Sequence, residues 1–221
     1  MSAPFSYVRQ VASNRQKSED TAEVFERGDV LVVVLADGAG GIRDGARASG
    51  ALVAAVRAAV EDAAFSIESV RQWAELFRIT DKALAENRVG ETTGVVVVAS
   101  PRRLIGVSAG DSEAWVVTAT QVADLTRAQR TKERVGSGRA DPVVFERQPL
   151  SGALLVATDG LFEFASADVI AGLVRGSEIR VAAERLIELV RLPSGKLADD
   201  VALVLVSAKP PERAGEDNGA V

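Results

Sequence analysis

Short runs of β-branched and other apolar residues recur along the chain, each bounded by glycine, proline or charged residues. Residues 30–36 are representative, because seven consecutive apolar residues stop at Asp37-Gly38. A continuous apolar run of this length is typical of a strand that is buried on both faces. The same pattern predicts further strands over residues 7–12, 21–26, 95–99, 104–109, 114–118, 153–158 and 201–207.

Four other segments carry apolar residues at helical spacing. In the first, Leu52, Val56 and Val60 fall on one face of a helix, whereas Arg57 falls elsewhere. The last begins beside Ser177, which we predict as its N-cap because serine commonly fills that position. The predicted helices cover residues 44–65, 67–87, 167–175 and 178–192.

The order of the predicted elements is strands, two helices, several strands, two helices and a final strand. A doubly wound parallel sheet requires helices that alternate with strands, so this order favours a mainly antiparallel α+β domain with helices covering the sheets. Turn residues at 27–29 and 100–103 also predict antiparallel neighbours.

The length of 221 residues, without an internal repeat, predicts a single domain over residues 1–208. Within it, residues 127–141 are polar, basic and glycine-bearing, which predicts a mobile surface loop. Residues 209–221 are rich in proline, glycine and charge, a composition typical of a disordered tail.

Two residue types are missing from the chain, and this restricts its chemistry. Without cysteine it has no disulfides, thiolate nucleophiles or cysteine-type zinc sites, and without histidine it has no imidazole base or metal ligand. Carboxylate and carbonyl oxygens are then the natural metal ligands, and such hard ligands favour Mg²⁺ or Mn²⁺.

The formal net charge of -5 provides no global attraction to nucleic acid or to an anionic membrane. The first ten residues show no basic stretch followed by an apolar run, and runs such as 30–36 are too short to cross a bilayer. We therefore expect a cytoplasmic protein without nucleic-acid or membrane partners. If the chain handles a phosphorylated substrate, the positive charge that attracts it must come from a local source, and a bound metal would supply it.

Acidic residues stand at the ends of several predicted strands, in Asp37-Gly38, Gly110-Asp111, Asp159-Gly160 and Asp199-Asp200. Asp-Gly after a strand is also a common turn signal, and that interpretation stays open for each pair taken singly. If the carboxylates converge at one edge of a sheet pair, they repel one another by several kcal/mol at low effective dielectric unless cations neutralise them. This is the physical case for bound metal.

Six segments, taken in order, resemble the metal-dependent protein phosphatases of the type 2C family, also called the PPM family. Each alone is a weak signal, but together they span about residues 15–206 at sensible spacing. The segments are Arg15-Gln16-Lys17-Ser18-Glu19-Asp20, similar to Arg-x-x-Asn-Glu-Asp; Asp37-Gly38-Ala39-Gly40-Gly41, similar to Asp-Gly-x-Gly-Gly; Glu91-Thr92-Thr93-Gly94, similar to the Gly-Thr-Thr strand; Gly110-Asp111-Ser112; Thr158-Asp159-Gly160-Leu161; and Asp199-Asp200-Val201-Ala202.

The resemblance implies two packed antiparallel sheets, a β-sandwich, flanked by helices on both sides. It also implies hydrolysis of phosphoserine or phosphothreonine by a water that two Mn²⁺ or Mg²⁺ ions activate, with a third ion possible. No covalent enzyme intermediate is needed, which agrees with the absence of cysteine and histidine.

The resemblance further implies a role for each site residue, with Arg15 and Asp37 as the catalytic residues. Asp37 would bridge two ions, and Gly38 would offer its backbone carbonyl to one of them. Asp159 and Asp199 would complete the protein ligands of the other ion. The remaining roles are Glu19, which would act through metal-bound water with Asp20 beside it; Asp111, which would hold a third, weaker ion together with Asp159; and Arg15, which would grip the substrate phosphate.

Five positions depart from the family pattern. Ser18 replaces the usual asparagine, and Ala39 stands where some members have histidine. Glu91 replaces the first glycine of Gly-Thr-Thr, Glu113 replaces a common arginine, and Glu163 stands where aspartate is frequent. None of these departures removes an implied metal ligand.

Other interpretations of single residues remain open at this stage. Arg15 could be a surface arginine paired with Glu19 or Asp20, Asp111 could be a turn residue, and Asp200 is predicted to be a hydrogen-bonding neighbour. The basic loop residues form either a solvated surface or a guide for substrate; they are Lys132, Arg134 and Arg139.

Two functions compete with a protein phosphatase. One is a catalytically weak or inactive regulator that binds a kinase or a phosphoprotein, and the other is a phosphatase for small phosphoesters. The sequence predicts a phosphorylated protein, and with it a serine/threonine kinase, as partner, but it does not predict the oligomeric state.

Overall fold

In the computed structural model, which describes residues 4–16, 18–39, 44–129 and 131–208, the apolar runs form two antiparallel sheets. Five helices pack against them within the described ranges. The elements are β1 (Phe5–Ala12), β2 (Thr21–Arg27), β3 (Val30–Ala36), α1 (Gly45–Glu61), α2 (Val70–Glu86), β4 (Gly94–Ala99), β5 (Leu104–Ala109), β6 (Glu113–Val117), β7 (Val122–Asp124), β8 (Val143–Arg147), β9 (Ala153–Ala157), α3 (Asp159–Phe162), α4 (Ala167–Gly176), α5 (Ile179–Leu189) and β10 (Val201–Ala208).

The strand order is β1-β10-β9-β6-β7 in one sheet and β2-β3-β4-β5-β8 in the other, and every named pair is antiparallel. The turns predicted at 27–29 and 100–103 connect β2 to β3 and β4 to β5. This confirms the antiparallel α+β architecture. None of the helices is long and apolar enough to cross a membrane within the described residues.

Strand β3 shows why the central strands are continuously apolar. Leu31, Val33 and Leu35 face the opposite sheet, where they join a cluster that includes Val156 and Val204. The alternate residues of β3 face the other way and pack against α1 and α2, while α4 and α5 cover the second sheet in the same manner. Because both faces are buried, each position contributes apolar area at roughly 25 cal/mol per Å², and no polar alternation arises.

The pattern missed two strands and misplaced some helix ends. Strands β7 and β8 lie at sheet edges and mix exposed with half-buried positions, so they lack the apolar signal. Helix α1 ends before its C-cap Asp62 rather than at residue 65, and α2 begins after its N-cap Ser69 rather than at residue 67. The predicted cap at Ser177 is wrong, because Ser177 closes α4 while the Glu178 carboxylate caps α5.

The segment predicted to be a mobile loop, residues 127–141, is tied to α2 by one buried carboxylate. Asp81 Oδ1 accepts hydrogen bonds from the backbone N–H groups of Gly136 and Gly138 at 2.7 and 2.9 Å, and Asp81 Oδ2 accepts from that of Ala140 at 3.2 Å. Val135 is fully buried and pairs with Thr92 through two backbone hydrogen bonds of 2.9 Å. The predicted tail, 209–221, lies outside the described residues.

We predict that Asp81→Ala lowers the free energy of unfolding by about 3 kcal/mol, because it leaves one buried and two partly buried backbone N–H groups without acceptors. Urea unfolding of the two proteins measures the difference. The matched control is Asp141→Ala, an exposed aspartate at the end of the same segment, which should change the free energy by less than about 0.5 kcal/mol. Equal effects of the two substitutions would contradict the assigned anchor.

Candidate metal centre

The backbone of Asp37, at the end of β3, is held by the two threonines that precede β4. Its N–H donates to Thr93 Oγ1 at 3.1 Å, and its carbonyl accepts from Thr93 N–H and Thr92 Oγ1, each at 2.8 Å. The neighbouring Ala39 N–H donates to the backbone carbonyl of Glu91 at 2.9 Å. The departure at Glu91 is therefore tolerated, since the backbone makes the contact.

Gly38 lies where the chain has no room for a side chain. A Cβ built there would lie 2.3 Å from the carbonyl oxygen of Gly45. The Gly38 N–H donates to the carbonyl of Glu19 at 3.2 Å, and this same carbonyl accepts from Ser49 Oγ at 2.7 Å. Glycine at this position thus brings the Asp37 turn against the segment that carries Glu19 and Asp20. The following Gly40 and Gly41 lie outside the described residues.

The second sheet contributes two more acids because β9 and β10 are antiparallel neighbours. Asp159 follows the end of β9, and Asp199 precedes the start of β10, so both lie at one edge. Thr158 joins the strands by donating its N–H to the carbonyl of Ala202 at 3.0 Å. A Cβ at Gly160 would lie 2.1 Å from the Asp200 carbonyl oxygen, so glycine is required at the second Asp-Gly as well.

Asp200 organises the segment that leads from β1 to β2. One of its carboxylate oxygens accepts from Ser13 Oγ at 2.5 Å, and the other accepts from Ser18 Oγ and from the Glu19 N–H, both at 3.1 Å. Asp200 is buried and acts as the predicted hydrogen-bonding neighbour. Ser18 also accepts from the Asp20 N–H at 3.0 Å, so the serine that departs from the family pattern still organises this turn.

These acids from both sheets line one cavity of about 230 Å³. It brings together seven of the eight predicted site residues, and it adds three residues that were not assigned to the site, Ala39, Arg134 and Asp200. The lining residues are Arg15, Glu19, Asp20, Asp37, Gly38, Ala39, Arg134, Asp159, Asp199 and Asp200.

Burial and mutual repulsion raise the pKa values of three of these carboxyl groups. Burial, then the charge of Asp20, raises the pKa of Asp37 to about 8. Burial, then the charge of Asp37, raises that of Asp159 to about 7. Burial raises the pKa of Asp20 to about 6, although hydrogen bonds from Thr158 and Asp37 oppose the shift. The environment of the cavity thus disfavours the ionised form of these three carboxyl groups.

The donor chemistry of the cavity fits hard divalent cations. All its candidate ligands are oxygens, and a bound cation would compensate the repulsion that raises the three pKa values. Among the described residues, no three acidic side chains already form a finished metal-binding group. Asp37 instead shares a hydrogen bond with Asp20, and Glu19 pairs with Arg15. To bind a cation, Asp37 and Asp20 would have to release the proton that they share, and Glu19 would have to release Arg15.

Two arginines line the cavity, Arg15 and Arg134. Arg15 forms an ion pair with Glu19 and keeps about half of its side chain exposed, so it is both the surface ion pair and the cavity residue that the sequence left as alternatives. Arg134 is half-buried, and its charge lowers the pKa of Asp37. The sequence placed Arg134 only in a basic loop, and no local signal distinguished it from Arg139, which pairs with Glu133.

Asp111 does not line this cavity but a neighbouring one of about 290 Å³. Its carboxylate pairs with Lys132, at 3.1 Å between Oδ2 and Nζ. The turn is connected to the main cavity through Ser112, whose hydroxyl lies 2.6 Å from that of Thr93. Glu113, another departure from the family pattern, accepts a hydrogen bond from the Trp115 indole at 2.6 Å.

Solved phosphatase structures share this architecture. The catalytic domain of the serine/threonine phosphatase PstP, in complex with two manganese ions, matches with a TM-score of 0.78 at 21% identity, over 93% of this chain and 99% of that chain. A bacterial serine phosphatase matches at 0.80 and 20% identity, over 94% and 98%. Stp1 from Staphylococcus aureus matches at 0.76 and 20% identity, over 93% and 95%. No protein-family model matches the chain, and no curated protein matches it.

The chain has the type 2C phosphatase fold. The predicted resemblance is thus confirmed for the architecture, two packed sheets between helices. Within this phosphatase fold, the metal roles of Glu19, Asp20, Asp37, Gly38, Asp159 and Asp199 remain predictions.

We predict that the chelator-treated protein loses stability as the pH rises from 5 to 8. Asp37 has an ordinary pKa of 3.8 and a folded pKa of about 8, so between these values the folded state retains a proton that the unfolded state releases. Stability therefore falls as pH rises through this window. Asp37→Asn removes this group, and at pH 8 it should raise the free energy of unfolding of the chelator-treated protein by on the order of 1 kcal/mol.

Urea unfolding in EDTA at pH 5 and pH 8 measures this effect. Asp29→Asn, in the exposed turn between β2 and β3, is the control and should follow the parent protein at both pH values. If Asp37→Asn is no more stable than the parent at pH 8, Asp37 does not carry the proposed electrostatic strain.

Proposed function

We propose that this chain is a metal-dependent protein serine/threonine phosphatase. The observation that carries the proposal is one cavity, lined by carboxylates from both sheets, at the edge of a type 2C phosphatase fold. A similar structure, that of PstP, is a complex with two manganese ions. We infer two Mn²⁺ or Mg²⁺ ions here too, and a cytoplasmic location remains part of the proposal.

Asp37, with the Gly38 carbonyl, would hold ions from the side of the β3 turn, and Asp159 and Asp199 would hold them from the β9–β10 edge. Glu19 and Asp20 line the same cavity and would bind the water molecules around the ions. When bound, the two cations supply an activated water as nucleophile and offset charge on the phosphoryl group. Asp37, with a pKa raised to about 8, would have to give up its proton to serve as a ligand.

Arg15 and Arg134, which both line the cavity, would hold the substrate phosphate. A guanidinium presents several N–H donors in a plane, so it can bind two phosphate oxygens at once. Arg15 is bonded to Glu19 and would exchange this carboxylate for the phosphate. Arg134 comes from the segment anchored by Asp81 and Val135, so its backbone position is set before substrate binds.

The two competing functions differ from this proposal in measurable ways. A non-catalytic regulator has no need for carboxylates held at raised pKa, and the full acidic set therefore favours an enzyme. A phosphatase for small phosphoesters would need walls that enclose its substrate, whereas this cavity lies beside exposed Asp199 and half-exposed Arg15. We therefore infer a protein substrate, phosphorylated by a serine/threonine kinase.

We predict that the purified protein releases phosphate from a phosphothreonine peptide in the presence of Mn²⁺ and that EDTA abolishes the activity. Asp159→Asn should lower kcat at least about 100-fold, because it removes a charged ligand from the reacting centre. Asp168→Asn, an exposed aspartate in the first turn of α4, is the control and should retain activity.

Each competing function corresponds to a definite result of the same assay. Absence of activity on phosphopeptides and on an aryl phosphate would favour the regulator. A higher kcat/KM on small phosphoesters than on peptides would favour a phosphatase for small phosphoesters. Full activity of Asp159→Asn with a normal melting temperature would remove Asp159 from the mechanism.

We predict that Arg134→Ala raises KM for a phosphopeptide about tenfold and lowers kcat much less, because the arginine binds the phosphate in the ground state and the transition state alike. Steady-state kinetics separate the two constants. Arg139→Ala removes a more exposed arginine from the same segment and should change KM less than about twofold. Equal kinetics of the two variants would show that Arg134 does not contact substrate.

A further inference from the structure

The two carboxylate oxygens of Asp111 have different environments. Oδ2 lies 3.1 Å from the ammonium nitrogen of Lys132. Oδ1 is buried and has no hydrogen-bond partner among the described residues. A buried, unpartnered carboxylate oxygen is costly, so this carboxylate depends on the positive charge beside it.

The Lys132 ammonium lies in the field of more than one acid. Its contact with Asp111 is the main reason that its pKa is raised, and the charges of Glu163 and Asp159 raise it further. Lys132, with a side chain that is 77% exposed, is therefore paired with one carboxylate, and the charges of two more raise its pKa. Lys132 lines the cavity of Asp111, and its ammonium interacts electrostatically with Asp159, which lines the main cavity.

The residues on both sides of Lys132 are hydrogen-bonded to other parts of the domain. On one side, Ser108 Oγ of β5 lies 3.3 Å from Gln129 Oε1, and Gln129 Nε2 donates to the Thr131 carbonyl at 3.0 Å. On the other side, Val135 pairs with Thr92. The segment that carries Lys132 is thus fixed at Ser108 of β5, which leads into the turn of Asp111, and at Thr92, which precedes β4.

We propose that Lys132 is a tethered cation that neutralises Asp111 in the position where a third divalent ion would otherwise bind. The chain then holds two exchangeable ions, and Asp111 becomes a metal ligand only when the lysine charge is removed. This inference rests on the proposed function for the two-ion cavity. It replaces the third ion that the sequence resemblance implied with a side chain of the protein.

Tethering gives the lysine an advantage over a dissolved ion. A group attached close to its partner has an effective concentration in the millimolar range or above, so divalent ions at micromolar concentration do not displace it. The single positive charge of Lys132 also balances the single negative charge of Asp111. This leaves less negative potential to attract a divalent ion.

The test counts bound Mn²⁺ by the electron paramagnetic resonance signal of the free ion, in titrations of the full chain at pH 7.5. The parent protein should bind two ions. Lys132→Gln should bind a third ion. Its affinity for this ion should exceed any residual affinity of the parent for a third ion by at least about tenfold. Lys132→Gln combined with Asp111→Asn should return to two, and Lys132→Arg should remain at two because it keeps the charge.

Lys82→Gln is the matched control, because Lys82 has a side chain that is 76% exposed and an ion pair with Glu86 at 3.8 Å. It should bind as the parent does. The inference is overturned if Lys132→Gln and the parent bind the same number of ions with the same affinities, or if the parent binds three and Asp111→Asn loses one. A parent that binds fewer than two ions contradicts the proposed two-ion cavity instead, while one additional ion in Lys132→Gln still supports the tethered cation.

Discussion

Folding brings several carboxylates together in one cavity, and their mutual repulsion determines both the stability of the site and its affinity for cations. Six carboxylates line one cavity, and burial raises the pKa of Asp37, Asp159 and Asp20 against the charged form. An arrangement of this kind opposes folding unless protons, arginines or cations compensate it. The same repulsion supplies the affinity for a divalent cation, so the cost to stability and the capacity for chemistry have one origin.

Backbone groups, threonine hydroxyls and the carboxylate of Asp200 hold this site together. Asp37 is fixed through the Thr92-Thr93 backbone and hydroxyl groups, and Thr158 joins β9 to β10 while its hydroxyl donates to Asp20 at 2.9 Å. Asp200 orders the turn that carries Glu19. Because these contacts are made by neutral donors and by one fully hydrogen-bonded acid, the reactive carboxylates remain free to exchange protons for cations.

The sequence predicted the parts of the fold and the site that depend on local patterns. Strands buried on both faces, such as β3, are visible as apolar runs, and the acids at their ends could be grouped because neighbouring strands share an edge. Arg134 could not be predicted as a cavity residue, since its position depends on the Asp81 anchor, 55 residues away from Gly136. Ser177 was misjudged because two helices meet there and serine suits either role. The edge strands β7 and β8 bury too few side chains to produce a recognisable apolar pattern in the sequence.

The formal charges of the cavity agree with two divalent ions rather than three. Its lining includes six carboxylates and two guanidinium groups, those of Arg15 and Arg134, which leaves four negative charges once every acid is ionised. Two divalent cations balance these completely. A third would need further acids, and Asp111, which lines the neighbouring cavity, already faces the ammonium of Lys132. Lys132 and Arg134 are two positions apart in one anchored segment, so a single stretch of chain adjusts the charge of both cavities.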